Sequence, residues 1–339
     1  MKIRLVGALA LSASLMILGV TLASGSSGAA PLKAVTFAYD FPGPDFEVTP
    51  IVVAQKEGFF TAAGLDVKMV FPPNTSSTSV MLATGAANVG MVTTTDMGIS
   101  VDKHLPILSI ANYSMTNNWG LFAKPGVTLT AKNLHAELLG KRIFSYGDTW
   151  TEAMLPFVLK KAGLSASQVK VVTNPSGNDL KYLLAGKVDV STNTTNYEVP
   201  GFQGAGVKGK LSELLGSAVG APNIPIWDYA TTKSYAASNG PTLKAFMSAV
   251  AKATKWAVAN PVKAATLFDK AYPTSGYTDA YSLSGWQLTI PFLTNAQGKY
   301  FVETNAQWAT LSAALKSIGQ ISKTQTPSTY FTNKFLPAS

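Results

Sequence analysis

Cysteine is absent from the 339 residues, which excludes disulfides, thiolate nucleophiles and cysteine-held zinc. Histidine occurs only as His104 and His135. Neither stands in an H-E-x-x-H or comparable spacing, so no metal site is expected. Charge is also scarce: 13% of residues are charged against 47% apolar, the balance of a chain that folds around buried surface. The formal charge of +9 is spread over single Lys and Arg residues. No basic block of five or six forms, which argues against nucleic acid and for a cationic protein near an anionic envelope surface. There is no G-x-S-x-G and no glycine loop that would cradle a phosphate. The supply of acids, bases and nucleophiles for an enzyme is therefore thin, and no cofactor is expected.

The length favours two domains or one large one. Lys2 and Arg4 precede an apolar run over 5–22, and small residues follow it through Ala30. A basic start, an apolar middle and small residues after it predict a secretory signal peptide over 1–30, with cleavage near Thr21-Leu22-Ala23. A retained anchor is the competing reading, because about 18 apolar residues approach the spanning length, but no basic stop-transfer cluster follows. Without a cysteine at the cleavage site there is no lipid attachment. The mature chain is expected to be soluble in a periplasm-like space.

The stretch 50–73 organises the rest. Apolar periodicity predicts a helix through Ala54 and Glu57 into Phe59 and Phe60, Gly64 stops it, and 65–71 alternates as a strand that Pro72-Pro73 ends. The same order of helix and strand recurs along the chain and gives an α/β fold. A first strand at 35–39 runs into the turn Asp40-Phe41-Pro42-Gly43-Pro44. Hydroxyl residues at 75–79, including Thr75, Ser76 and Ser77, precede a helix that Gly85 stops; they serve as caps or offer a helix start to a polar solute. A buried strand at 89–92 leads to Thr94 and Asp96. Further on, Asn118 and Trp119 follow a strand, Tyr146 and Asp148 follow another at 142–145, and Asn196-Tyr197-Glu198 follow a strand at 188–190. In open α/β sheets, ligands sit at the C-terminal strand edge. Amides and aromatics collected there suit a flat polar molecule. Trp227, on a proline-bounded strand at 223–229, either lines such a cleft or packs beside it.

Three phrases resemble one family. A-x-x-E-G-F-F-x-x-x-G-L-x-V at 54–67, Leu138-Leu139-Gly140-Lys141-Arg142-Ile143, and the tail Trp308 to Leu311, Gly319 to Ile321 and Phe331-Thr332-Asn333-Lys334-Phe335 are similar to the solute-binding proteins of ABC importers. The branch is the one that takes up sulfonates, nitrate, taurine and pyrimidine precursors of thiamine. One phrase departs from it, since A-T-G-A-A-N at 83–88 stands where the family writes A-S-G-E-A-D.

The resemblance implies a type II periplasmic binding fold of two α/β lobes: 31–122, 123–224, and a return over 225–339, with hinge crossings near 121–126 and 222–230. It also implies a monomer that delivers its solute to an inner-membrane permease. In the pyrimidine-precursor binders, the aromatic residue at the position of Phe41 stacks on the ligand, and an acid after an Asn-aromatic pair, here Glu198, receives the ring's amino group. Phe41 packed under its own turn and Glu198 solvated at a helix start are the plainer alternatives. A carboxylate repels sulfonate or nitrate in a closing cleft, which tilts the expectation toward a neutral or cationic nitrogen heterocycle. Fungal pyrimidine synthases share this fold, but they rely on a cysteine-rich motif and a histidine donor that this chain does not carry.

Overall fold

The computed structural model describes residues 31–175 and 178–337. The expected signal peptide, its cleavage site, and Ser176-Gly177 lie outside the described residues. Among the described residues ten strands run in chain order: β1 (Lys33–Ala38), β2 (Leu65–Val70), β3 (Val89–Thr93), β4 (Ile107–Asn112), β5 (Trp119–Ala123), β6 (Arg142–Ser145), β7 (Lys170–Thr173), β8 (Ser191–Thr194), β9 (Ser212–Leu215) and β10 (Trp227–Thr232).

They form a five-stranded sheet in the order β2-β1-β3-β10-β4, a three-stranded sheet β8-β5-β9, and the pair β6-β7. In the first sheet β1 runs parallel to both β2 and β3, while β10 lies antiparallel between β3 and β4. An isolated bridge from Ile143 to Val190 links β6 toward β8. Strand β3, Val-Gly-Met-Val-Thr, is buried at every position, which explains why it reads as an unbroken apolar run and not as an alternation.

The chain leaves the first sheet after β4 and enters the second at β5, so it passes over at 113–118. The expected crossing at 121–126 is therefore corrected. Leu121 and Phe122 pair with Thr192 and Ser191 in the middle of the second sheet, because a short apolar strand with partners on both sides satisfies its backbone best there. The return runs over 216–226, ahead of β10, and overlaps the expected 222–230.

Two further boundaries move. The helix expected across 54–60 is two helices, Thr49–Lys56 and Phe59–Ala62, parted at Gly58 with φ +73°. Glycine adopts that left-handed backbone at little cost, and the turn carries Phe60 onto Phe246 with ring centroids 5.4 Å apart. The strand expected at 188–190 begins instead at Ser191, because antiparallel pairing with β5 sets Thr194 opposite Trp119. Asn196, Tyr197 and Glu198 consequently fall in the first turn of a helix, Thr195–Gly204. Likewise Thr94 and Asp96 open the helix Thr94–Asp102, whose N-cap is Thr93.

The C-terminal helices Gly240–Ala259 and Pro261–Ala271 pack with the Thr49–Lys56 helix, and Asp279–Thr289 packs on Pro261–Ala271 and on the Thr195–Gly204 helix. Trp286 and Phe246 are fully buried in that layer. Among the described residues no helix is long and apolar enough to cross a membrane.

Candidate functional site

Polar residues collect where strands end, because a strand leaving a buried sheet must return its backbone to polar partners. The segments after β1, β3 and β6, the helix after β8, and the starts of β5 and β10 all contribute to the wall of one cavity of about 1120 Å³. Of the residues expected to meet a ligand, Asp40, Phe41, Thr75 and Ser76 line it from loops of the first sheet, and Asp96 lines it from the first turn of the helix after β3. Trp119, Tyr146 and Asp148 line it from the second half, as do Tyr197 and Glu198, and Trp227 lines it from the start of β10.

Four expected residues do not line the cavity, each for a visible reason. Ser77 donates to the Asn74 side chain. Thr94 is used in holding the chain ahead of β10, its hydroxyl donating to Pro225 O at 2.9 Å and its amide to Ile226 O at 2.7 Å. Asn118 donates to Asn196 Oδ1 at 2.8 Å, and Asn196 in turn donates to Glu47 Oε1 at 2.9 Å and Thr289 Oγ1 at 3.0 Å. A buried amide must be hydrogen-bonded, and these two are consumed behind the wall.

The plainer alternatives for two residues are excluded. Phe41 is 36% exposed and stands on the cavity wall, not under its turn. Glu198 is 1% exposed, so it is no solvated helix-start carboxylate. Its Oε1 accepts from Ser191 Oγ at 3.1 Å, while Oε2 has no partner.

Seven carboxyl groups line the cavity: Asp40, Asp45, Glu47, Asp96, Asp148, Asp179 and Glu198. Lys181 is the one basic residue among the described lining residues. Burial pushes the carboxyls of Asp40, Glu47 and Glu198 well above the usual range, with repulsion from Asp96, Asp45 and Asp179 respectively adding to it. Burial likewise lifts Asp96 and Asp148, and it lifts Asp45 to about 6.

Neutral donors hold these acids. Tyr39 OH lies 2.7 Å from both Asp45 oxygens, Trp227 Nε1 donates to Asp40 Oδ2 at 3.1 Å, and Thr149 Oγ1 donates to Asp96 Oδ1 at 3.0 Å. Asp179 accepts from Tyr146 OH at 2.9 Å, Ser191 Oγ at 2.9 Å and Asn193 Nδ2 at 2.7 Å. Aromatic rings fill the spaces between: Phe46 against Tyr197 with centroids 4.7 Å apart, and Tyr277 stacked on Tyr281 at 4.8 Å.

Sequence reasoning missed Asp45, Glu47 and Asp179. Asp179 carried a cue, since it opens a helix capped by Asn178. Glu47 carried none, because its role depends on Asn196, 149 positions away. His104 and His135 do not line the cavity, and the His135 ring is occupied at Ala162 O, 2.9 Å away.

The family model described as NMT1/THI5 like matches residues 45–264. The chain belongs to the NMT1/THI5-like family. Among the curated relatives of this NMT1/THI5-like protein is the formylaminopyrimidine-binding protein of Halalkalibacterium halodurans, 27% identical over 65% of this chain and 66% of that one. Another is a 4-amino-5-hydroxymethyl-2-methylpyrimidine phosphate synthase of Saccharomyces cerevisiae, 22% identical over 68% of each. The matched stretch thus spans about two thirds of the length of either relative. Among solved structures, the alkanesulfonate-binding protein of Xanthomonas axonopodis pv. citri bound to MOPS superposes with a TM-score of 0.66. It is 17% identical and covers 89% of this chain and 99% of that one. The NMT1/THI5-like chain has the fold of periplasmic binding proteins, with mixed α/β layers on either side of its cavity.

Proposed function

We propose that this chain is the extracytoplasmic solute-binding component of an ABC importer, and that it captures a small nitrogen heterocycle of the aminopyrimidine kind. The two sheets act as lobes that hinge at 113–118 and 216–226, close over the solute, and present the closed form to a permease in the inner membrane. Export to the periplasm and a monomeric state belong to the same reading. The cargo is held and released unchanged, without an acid–base or nucleophilic step.

One observation carries the choice of ligand: seven carboxyl groups, Glu198 among them, line the cavity with a single lysine. An anionic sulfonate, nitrate or taurine-type solute would find one lysine to balance its charge in a site that loses water as it closes, and would oppose ionisation of the carboxyls around it. An amino group on a flat ring would instead donate to Glu198 while aromatic side chains cover its faces, each stack adding about 0.5–1.5 kcal/mol beyond area burial. The name of the Halalkalibacterium relative supports this reading. The yeast synthase relative raises the enzyme alternative, but this chain has no cysteine and neither of its histidines lines the cavity.

Calorimetry of the purified protein with an aminopyrimidine, riboflavin and a short alkyl sulfonate tests the assignment. The aminopyrimidine is expected to bind and the sulfonate to give no heat. Tight sulfonate binding with no response to either heterocycle refutes the ligand while leaving the fold.

A further inference from the structure

The molecule sorts its charges by sign. All but Lys2 and Arg4 of the 27 Lys and Arg residues fall among the described residues, and none of those is buried. All 18 acids are described, and eight of them are buried. The outer surface therefore carries a larger positive excess than the formal +9 suggests. Ion pairs do little to cancel it, since Arg142 with Asp189 is the one pair among the described residues.

That excess is most ordered on the helix Gly240–Ala259, which at 20 residues is the longest of the described helices and contains no acid. Leu243, Phe246, Met247 and Val250 bury its inner side, and it packs on the helices Thr49–Lys56 and Phe59–Ala62. Lys244, Lys252 and Lys255 are exposed. At about 100° and 1.5 Å per residue the three fall within about 80° of arc and about 16 Å of length, one outward stripe. None of them stands in an ion pair. Beyond Asn260 the helix Pro261–Ala271 adds exposed Lys263 and Lys270, and Val262 at 59% exposure, while its acid, Asp269, is half-buried.

The shape of this stripe selects its partner. A small anion needs donors that converge around it, and these are spread along a rigid rod. A plane of fixed negative charge lets all of them engage together, each long stem reaching a separate head group. Val262 gains only where an apolar layer lies beneath the charges.

We propose that the Gly240–Ala259 helix, with the start of Pro261–Ala271, rests on a bilayer surface of anionic lipid. The stripe shares no residue with the cavity lining. Solute capture and docking therefore use separate surfaces, and neither reading rests on the other.

Co-sedimentation of the exported, purified protein with vesicles tests this. Vesicles of equal parts phosphatidylglycerol and phosphatidylcholine are expected to bind it at about 0.1 M salt, where screening over about 10 Å leaves distant lysines out, and to release it at about 1 M. Pure phosphatidylcholine is expected not to bind. Each lysine at such a surface contributes about fivefold, so the triple variant Lys244→Gln, Lys252→Gln, Lys255→Gln is expected to bind roughly 100-fold more weakly. A control with the same loss of charge, Lys132→Gln, Lys170→Gln, Lys316→Gln, removes exposed lysines from three other parts of the chain. It is expected to stay within about threefold of wild type.

Wild-type melting temperatures check that both triples fold, and the comparison of vesicle types needs no variant. Equal losses in the two triples would mean that total charge and not this face is read, which overturns the proposal. Binding to phosphatidylcholine as strong as to the mixture overturns it too, as does no binding to either. Retention on heparin without vesicle binding would assign the stripe to a soluble polyanion instead.

Discussion

At the scale of single residues the molecule is governed by where its carboxyls are buried and what they find there. Glu198 is one of the residues lining the cavity, and its Oε1 is held by Ser191. Glu198→Gln keeps the shape and replaces one carboxyl oxygen by an amide nitrogen that can only donate, so a ligand amino group is left facing an unmatched donor at a cost of about 1–3 kcal/mol. Aminopyrimidine affinity in a calorimetric titration is expected to fall roughly 10- to 100-fold with no loss of thermal stability. An unchanged affinity would remove Glu198 from the site.

Away from the cavity, Asp228 on β10 is fully buried with neither oxygen hydrogen-bonded, and burial holds its carboxyl far above the usual range. Glu303, also buried, is lifted by burial and by Asp228, although Trp308 Nε1 donates to it at 3.0 Å. A carboxyl raised in the folded state is protonated there while the unfolded chain has already ionised. Its contribution to stability is complete below the unfolded value of about 4 and is lost as pH rises through the folded value. For Asp45 that window closes at about 6. The opposite sign belongs to Asp189, held down to about 2 by the Arg142 guanidinium 2.8 Å away, on the surface where the pair contributes little.

Melting temperature of the ligand-free protein is accordingly expected to decline between pH 5 and pH 8. Asp228→Asn should flatten that decline and stabilise the protein at pH 8 by about 1–3 kcal/mol. A melting profile that rises over this range would contradict the account.

At the scale of elements, glycines decide how closely layers approach. Gly285, on the Asp279–Thr289 helix, lies against Phe46, and a methyl group there would sit 2.5 Å from the ring. Phe46 packs on Tyr197 of the cavity wall. Gly285→Ala is expected to cost about 1–3 kcal/mol by overpacking, measured by denaturant unfolding, and to weaken ligand binding through the displaced Tyr197. Stability equal to wild type would mean that the helix can retreat.

Element order was legible from sequence because apolar periodicity and glycine stops are local signals. The strand at 142–145 is found where the pattern puts it. Boundaries moved where a partner strand decided them. Ser-Thr-Asn-Thr at 191–194 has no apolar character to announce a strand, yet pairing with β5 makes it one.

At the scale of the whole molecule, the proposed closure requires two backbone passages between the sheets, at 113–118 and 216–226. Small-angle scattering is expected to show a smaller radius of gyration when an aminopyrimidine is added, and no change with an alkyl sulfonate. Binding without compaction would separate capture from hinge motion. The chain as a whole carries +9, whereas the described lining of the cavity carries seven acids and one lysine. Net charge therefore described the outer surface and gave no guide to the cavity.

Sequence alone determined the α/β order, the absence of thiol chemistry, the family phrases, and a set of strand-end residues of which Asp40, Phe41, Trp119, Tyr146 and Glu198 reach one wall. These are properties of composition and of neighbours within a few residues. Tertiary structure alone decided that Asn118 and Asn196 turn inward to each other and to Glu47, and that Asp45, Glu47 and Asp179 join the acids. Such outcomes depend on which distant segments share a buried volume, and hydrogen-bond satisfaction there is settled between residues up to 149 positions apart.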